Sequence, residues 1–319
     1  MSELRYTIEL TPPDISAYRA GNTGIEYVTT FAARDAGPHV VVMGLTHGNE
    51  ICGAIAIDKL LRADIRPRRG TLTLAFNNVA AYSEFDARYP IASRYVDEDF
   101  NRLWSPAALD GPRRSSELVR ARELRPIVDA ADYLLDLHSM QNATAPLMLA
   151  GLLQRSRELA LRVGIPELIM CDAGHAAGPR MRDYREFGDP AGGKTALLIE
   201  CGQHWERRAA EVSTDVTLRF LLALGVVTQE DVAALGGPDF AAHPQQRVIQ
   251  VTEAVTIAGD RFDFAADYRG LEVLPEKGTL IGRDDGREIL SPYDNCVLIM
   301  PSRRLVKGQT AVRLGRFVD

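Results

Sequence analysis

The chain has 319 residues, 46% hydrophobic and 25% charged, with 37 lysines and arginines against 43 aspartates and glutamates for a formal net charge of -6. Such proportions supply ample core material and exclude wholesale disorder, while the acidic balance offers no general attraction to nucleic-acid phosphates or anionic lipid. The amino-terminal MSELRYTIEL is charged where a secretory signal needs an apolar core, and no run approaches the roughly 20 apolar residues of a spanning helix, so we expect a cytoplasmic protein with neither a membrane nor a nucleic-acid partner.

From His39 onward, short apolar runs alternate with helical patterns. The runs HVVVMG (39–44), TLTLAF (71–76), YLLDLH (133–138) and ALLIEC (196–201) are apolar nearly throughout, as strands buried on both faces should be. Helices are predicted over 50–61, 116–130 around Pro126, 152–163 and 214–224. The alternation predicts an α/β fold with a mixed, mostly parallel sheet flanked by helices. After Gly236-Gly237-Pro238 the character changes, and from about Arg247 short strands follow one another across turns such as Ala258-Gly259-Asp260 and Asp285-Gly286. Since hydrophobic cores rarely grow beyond about 250 to 300 residues, we expect two domains, a larger α/β unit over 1–240 and a small all-β unit over 241–319.

The stretches GTLIGRDDGREILSPYDNCVLIMP and LVKGQTAVRLGR resemble a barrel-sandwich hybrid, the fold of lipoyl and biotinyl carriers. Where a carrier has its modified lysine, this chain reads Ser291-Pro292-Tyr293-Asp294-Asn295, so no carrier role is expected. Cys52, Cys171, Cys201 and Cys296 are scattered in or beside apolar stretches and are expected as buried free thiols.

The most informative segment is VVVMGLTHGNEICG, where a strand gives way to a helix and places His47 three residues before Glu50. Such a corner can aim an imidazole and a carboxylate at one ion, although His-x-x-Glu alone is common. His138 closes the apolar strand YLLDLH, and open α/β sheets carry functional groups at the carboxyl ends of their strands. Three ligands with one open position describe a catalytic rather than a structural metal site, and the His, Glu, His set favours zinc, one ion per chain. Glu200 closes a third strand, ALLIEC, where a carboxylate could serve as general base toward water. In SRYVDEDFNRLW, Asn101 and Arg102 follow an acidic cluster and could receive a substrate carboxylate; internal pairing of Asp97, Glu98 and Asp99 with nearby arginines is the competing reading.

Together GLTHGNEICG, Asn77-Asn78, RYVDEDFNR, LLDLHS and LLIECG resemble, in order, the motifs of the succinylglutamate desuccinylase and aspartoacylase family of the zinc carboxypeptidase superfamily. The resemblance implies zinc on His47, Glu50 and His138, Glu200 as general base, and Asn101 with Arg102 on the substrate's carboxylate. It also implies hydrolysis of a small N-acyl amino acid as substrate and leaves a homo-oligomer open; a carboxypeptidase acting on peptides, or a silent metal-containing binding protein, are the alternatives. One departure stands out: where the pattern has an arginine two residues after the asparagine matching Asn78, this chain has Ala80. Arg88 or Arg94, in the following segment, is expected to contact substrate instead. The loop 173–194 offers Arg180, Arg182 and Arg185 for an acidic acyl group, and His204 and His175 have no assigned role.

Overall fold

The computed structural model describes residues 7–175, 177–236 and 245–318. The division expected at 240/241, with Gly237 and Pro238, lies outside these residues. The strands are β1 (Val28–Ala32), β2 (Asp35–Gly44), β3 (Arg69–Phe76), β4 (Tyr133–Met140), β5 (Leu147–Leu149), β6 (Leu168–Cys171), β7 (Thr195–Gln203), β8 (Arg247–Thr256), β9 (Phe262–Phe264), β10 (Val273–Leu274), β11 (Leu280–Asp284), β12 (Arg287–Leu290), β13 (Cys296–Ile299) and β14 (Thr310–Val318). The helices are α1 (Ile51–Arg62), α2 (Val79–Ser83), α3 (Pro106–Leu109), α4 (Ser116–Ala130), α5 (Gln154–Val163), α6 (Arg207–Ala223) and α7 (Gln229–Ala234). No helix among the described residues is long and apolar enough to cross a membrane.

An eleven-stranded mixed sheet runs in the order β1-β3-β2-β4-β7-β5-β6-β8-β14-β13-β10. Its middle, β3-β2-β4-β7, is parallel. Side chains of successive strand residues point to opposite faces, and the chain exploits this with apolar residues on both. Val40, Val42, Leu135, Leu137, Leu197 and Ile199 pack under α1, α5 and α6, while Val41, Met43, Leu134 and Ala196 meet α4, Phe100 and Trp104 on the other face. This double burial explains why the four central strands read as unbroken apolar runs. The sixth helix begins at Arg207, seven residues before the predicted start at 214, because Ala209 and Ala210 in its charged first turns also join the core. All four cysteines are free and buried.

The C-terminal strands form two antiparallel arrays. β8, β14, β13 and β10 extend the large sheet, and β12-β11-β9 form a separate one. A core of their own lies between them, with Val255, Phe262, Ile281, Leu298 and Val312 drawn from both arrays. The link to the rest is the parallel pairing of β8 with β6, which anchors the C-terminal unit beside the carboxyl ends of the central strands.

Candidate metal centre

β2 ends at Gly44, and Leu45-Thr46-His47-Gly48-Asn49-Glu50 turn the chain into α1. Leu45 makes the corner with a left-handed backbone, φ 60°, uncommon for a bulky residue. Thr46 Oγ1 donates to Asp136 Oδ1 (2.7 Å) and accepts from Asn77 Nδ2 (2.8 Å), tying the corner to the ends of β4 and β3. Gly48 is required sterically, since a Cβ there would stand 2.4 Å and 2.5 Å from backbone atoms of Ala81 and Ser93. Its N–H donates to the Arg94 carbonyl (3.1 Å), so the bare backbone is what lets the 90–94 turn close on the corner.

At this point two imidazoles converge on one carboxylate. Glu50 Oε1 lies 2.7 Å from His47 Nδ1 and Oε2 lies 2.8 Å from His138 Nδ1. One ligand atom from each residue falls within 4.8 Å of the others, so the group could hold a metal ion. Each ring is gripped at its other nitrogen: His47 Nε2 stands 2.9 Å from Asp99 Oδ1, and His138 Nε2 2.8 Å from Asp136 Oδ2. These contacts at Nε2, with Arg94 Nη2 also 3.0 Å from His47 Nε2, hold each ring so that Nδ1 faces the common centre. Burial raises the Glu50 carboxyl, but the charges of His47 and His138 outweigh it and hold the group well below its ordinary value. For His138 burial acts downward, and Asp136 with Glu50 drives it well above. The two imidazoles are thus drawn onto a sealed carboxylate, and a divalent cation answers the same demand.

Glu200, on β7, is the register partner of His138 on β4. It is 8% exposed. Burial, partly offset by His138, pushes its carboxyl up to about 8, and among the described residues Oε2 has no hydrogen-bond partner. A carboxyl so placed can exchange a proton near neutral pH.

Around this centre opens a cleft of about 680 Å³, lined on one side by His47, Glu50, His138 and Glu200 and on the other by C-terminal residues including Met300, Arg303, Arg304 and Arg313. Arg94 enters it, donating to Glu50 Oε1 (3.1 Å) and Asp99 Oδ2 (3.2 Å). Arg102 lines it with Nη1 on the Asn101 carbonyl (2.7 Å) and no carboxylate within ion-pair distance among the described residues. Asn101 reaches the cleft wall but its amide is engaged within the protein: Nδ2 donates to Asp136 Oδ2 (3.2 Å) and Oδ1 accepts from the Met181 N–H (2.7 Å). It braces the Asp136–His138 pair instead of offering a free donor. Arg88 is not brought to the cleft. Its side chain is 81% exposed and grips Asp86 two residues away, so the substrate contact expected there is not carried forward.

The arginines of the loop also separate. Arg180 lines the cleft but is held by Asp172 at 2.6 Å and 2.9 Å and by Asp183 at 2.7 Å. Arg182 is buried on the Ala150 carbonyl (2.8 Å), and Arg185 lies at the surface on Asp129 (3.0 Å). His204 is buried with Nδ1 2.8 Å from Ser139 Oγ, and burial pushes it down to about 4.

Sequence reasoning missed three contributors. Asp136 was legible in principle, since strand alternation puts a charge two residues before His138 on the same face. Glu117, completely buried, accepts from Asn78 Nδ2 (3.0 Å) and from the N–H groups of Val96 (2.7 Å), Asp97 (3.1 Å) and Glu98 (3.2 Å), shaping the loop that carries Asp99. Arg313, in an apolar strand 113 positions beyond Glu200, gave no local signal.

Residues 36–224 match the family model of the succinylglutamate desuccinylase/aspartoacylase catalytic domain. A succinylglutamate desuccinylase of Pseudoalteromonas atlantica is 25% identical over 303 residues, covering 86% of this chain and 79% of the relative. An N-acyl-aromatic-L-amino acid amidohydrolase (carboxylate-forming) of Danio rerio is 33% identical over 115 residues, 31% of this chain and 32% of the relative. The crystal structure of succinylglutamate desuccinylase from Vibrio cholerae superposes with a TM-score of 0.65 at 17% identity, covering 92% of this chain and 89% of that one. At that identity the likeness is one of fold.

Proposed function

The chain belongs to the succinylglutamate desuccinylase/aspartoacylase family, and on that premise we propose that it is a zinc-dependent amidohydrolase that removes the acyl group from a small N-acyl amino acid. The observation that carries the reading is the convergence of His47 Nδ1, His138 Nδ1 and Glu50 beside a Glu200 carboxyl with an unbonded oxygen.

In this reading His47, Glu50 and His138 hold the ion, and Asp99 and Asp136 keep the two imidazoles oriented. The chemistry that zinc supplies when bound there is Lewis acidity toward the acyl carbonyl and toward water. Glu200 takes a proton from the attacking water and returns it to the departing amine nitrogen, for which a carboxyl raised toward neutrality is suited. Arg94, at the mouth of the centre, stabilises negative charge developing on the acyl oxygen, standing in for the arginine missing at Ala80. Arg102 receives the carboxylate of the amino acid. The C-terminal wall of the cleft supports a small substrate over a long peptide, which would need open subsites.

The test is hydrolysis of N-acetyl- and N-succinyl-amino acids against blocked dipeptides, together with metal analysis of the purified protein. Turnover of the acylated amino acids, about one zinc per chain and loss of activity with a chelator are expected. Cleavage of dipeptides alone would favour a carboxypeptidase, and indifference to chelators would sink the metal reading.

A further inference from the structure

His204 lines the cleft beside the metal centre, yet the three ligands, the base and the arginines leave it no task. It is 3% exposed and follows directly on β7, whose end carries Glu200. Its place is closely fixed. The His204 N–H donates to the Met140 carbonyl (2.8 Å), the ring stands 5.4 Å from that of Trp205, centroid to centroid, and the Trp205 indole N–H donates in turn to the Asn49 carbonyl (3.2 Å). At the ring itself, Nδ1 meets Ser139 Oγ at 2.8 Å.

The tautomer follows from that partner. Among the described residues the buried Ser139 hydroxyl has no acceptor other than Nδ1, and a buried O–H left without one is costly. The hydroxyl therefore donates to Nδ1, and the proton of the neutral ring sits on Nε2. Burial pushes the imidazole down to about 4, so the ring is uncharged near pH 7. Among the described residues Nε2–H has no acceptor, which leaves a fixed, neutral donor at the cleft.

Glu50 shows where this donor stands. Its Oε1 is met by His47 Nδ1 and Arg94 Nη1, and its Oε2 by His138 Nδ1 and the Ser139 N–H (3.1 Å). Arg94 and the Ser139–His204 pair thus flank the centre at opposite oxygens of one carboxylate. Beside Arg94 and the site of a divalent ion, a further positive charge would be repelled, whereas a neutral N–H adds a dipole without that cost.

We propose that His204 is a further catalytic residue, its Nε2–H donating to the acyl oxygen from the Oε2 side of Glu50 while Arg94 approaches from the Oε1 side. The proposal rests on the amidohydrolase reading and deepens it. The acyl oxygen accepts this hydrogen bond before reaction, and the bond strengthens as negative charge builds there, so the contribution falls on rate more than on binding. Nε2 keeps its proton throughout, and the base remains Glu200.

The experiment replaces His204 with two amides, each of which keeps one half of its hydrogen bonding. Gln carries an amide N–H about as far out as Nε2 but gives up the position of Nδ1; Asn retains a polar atom near the position of Nδ1 but is too short to reach that of Nε2. Zinc-loaded wild type, His204→Gln and His204→Asn are compared on the N-formyl and N-acetyl forms of the amino acid turned over fastest. His204→Asn should lower kcat by about 10- to 100-fold with KM little changed, equally for formyl and acetyl because both share the carbonyl, and His204→Gln should recover much of the loss. The reverse order of the two variants, which marks a structural brace on Ser139, overturns the proposal, as does a loss confined to KM or to one acyl group.

Two measurements need no turnover. Nitrogen-15 NMR of histidine-labelled wild type, with His204 assigned by its absence from the His204→Asn spectrum, should show Nε2 protonated and Nδ1 bare near pH 7; a proton on Nδ1 rejects the donor. Calorimetry with methylphosphonate, a tetrahedral anion the size of a reacting acetyl group, should give binding to zinc-loaded His204→Asn about 10-fold weaker than to wild type, and equal binding by the two rejects the proposal. Should no N-acyl amino acid turn over, the deacylase reading fails by itself and these two measurements decide on His204.

Discussion

The two walls of the cleft are built on opposite principles. On the wall formed by the ends of β2, β4 and β7, nearly every polar group is already oriented by another: Asp99 and Asp136 grip the histidines, Asn101 and Thr46 brace Asp136, and Glu117 shapes the loop behind them. On the facing wall Arg303 is paired with Asp267 (2.7 Å), whereas among the described residues Arg313 stands without a carboxylate partner and Arg304 has only the Tyr95 hydroxyl (3.3 Å); Arg102, next to Asn101, is likewise without a carboxylate partner among them. Groups satisfied within the protein are preorganised for chemistry, since they need not move during reaction. Groups left unsatisfied wait for a ligand. Among the described residues the fully buried exceptions on the first wall are Asn49 Oδ1, Asn77 Oδ1 and Glu200 Oε2, and of the three only Glu200 has a proposed task that requires a changing partner.

Breaking the oriented wall should strike rate and metal, and the largest effect is expected at Glu200. Glu200→Gln should keep bound zinc yet lower kcat by about 10²- to 10⁴-fold, in line with loss of a general base; steady-state kinetics beside metal analysis checks it, and unchanged turnover removes Glu200 from the mechanism. Asp136→Asn leaves all three ligands in place but loosens the orientation of His138. Its zinc affinity should fall by about 10- to 100-fold, read by competition with a chromogenic chelator. At the unpaired guanidinium of Arg102, Arg102→Met should raise KM by about 10-fold or more with zinc content unchanged, so a variant that lost metal instead would erase the contrast between oriented and unpaired groups.

The smallest expected effect concerns stability. The Glu200 carboxyl is raised in the folded chain, so its protonated form favours folding. That contribution is complete below 4.5 and is lost as pH rises toward about 8. Chelated wild type should therefore lose a few degrees of Tm across that interval relative to Glu200→Gln, which carries no such proton. Parallel melting curves for the two would show that the carboxyl is not raised by burial.

Much of the oriented wall was readable from residue order. Strands buried on both faces must be apolar throughout, so a histidine or glutamate closing such a run is conspicuous, as at His138 and Glu200. Helix α4, predicted over 116–130, spans Ser116–Ala130, with a Ser115 side chain capping it through the Leu118 N–H (3.1 Å). The short strands β1, β5 and β6 carry too few residues to show a period and went unpredicted.

What the sequence by itself determined was the layered α/β class, the grouping of His47, Glu50 and His138 as a candidate metal site and the carboxyl beside it, because all of these follow from local pattern and from where apolar strands end. Which arginine faces the chemistry was decided only by tertiary structure. Arg88, Arg94, Arg182 and Arg313 look alike along the chain, yet one is tied to an exposed aspartate, one reaches Glu50, one is sealed between a carbonyl and Asp183, and one is buried at the cleft without an acceptor among the described residues. A guanidinium on a long flexible stem takes its role from whichever carboxylates and carbonyls the fold brings within reach, some near in the chain, as Asp86 is to Arg88, and some distant, as Glu50 is to Arg94.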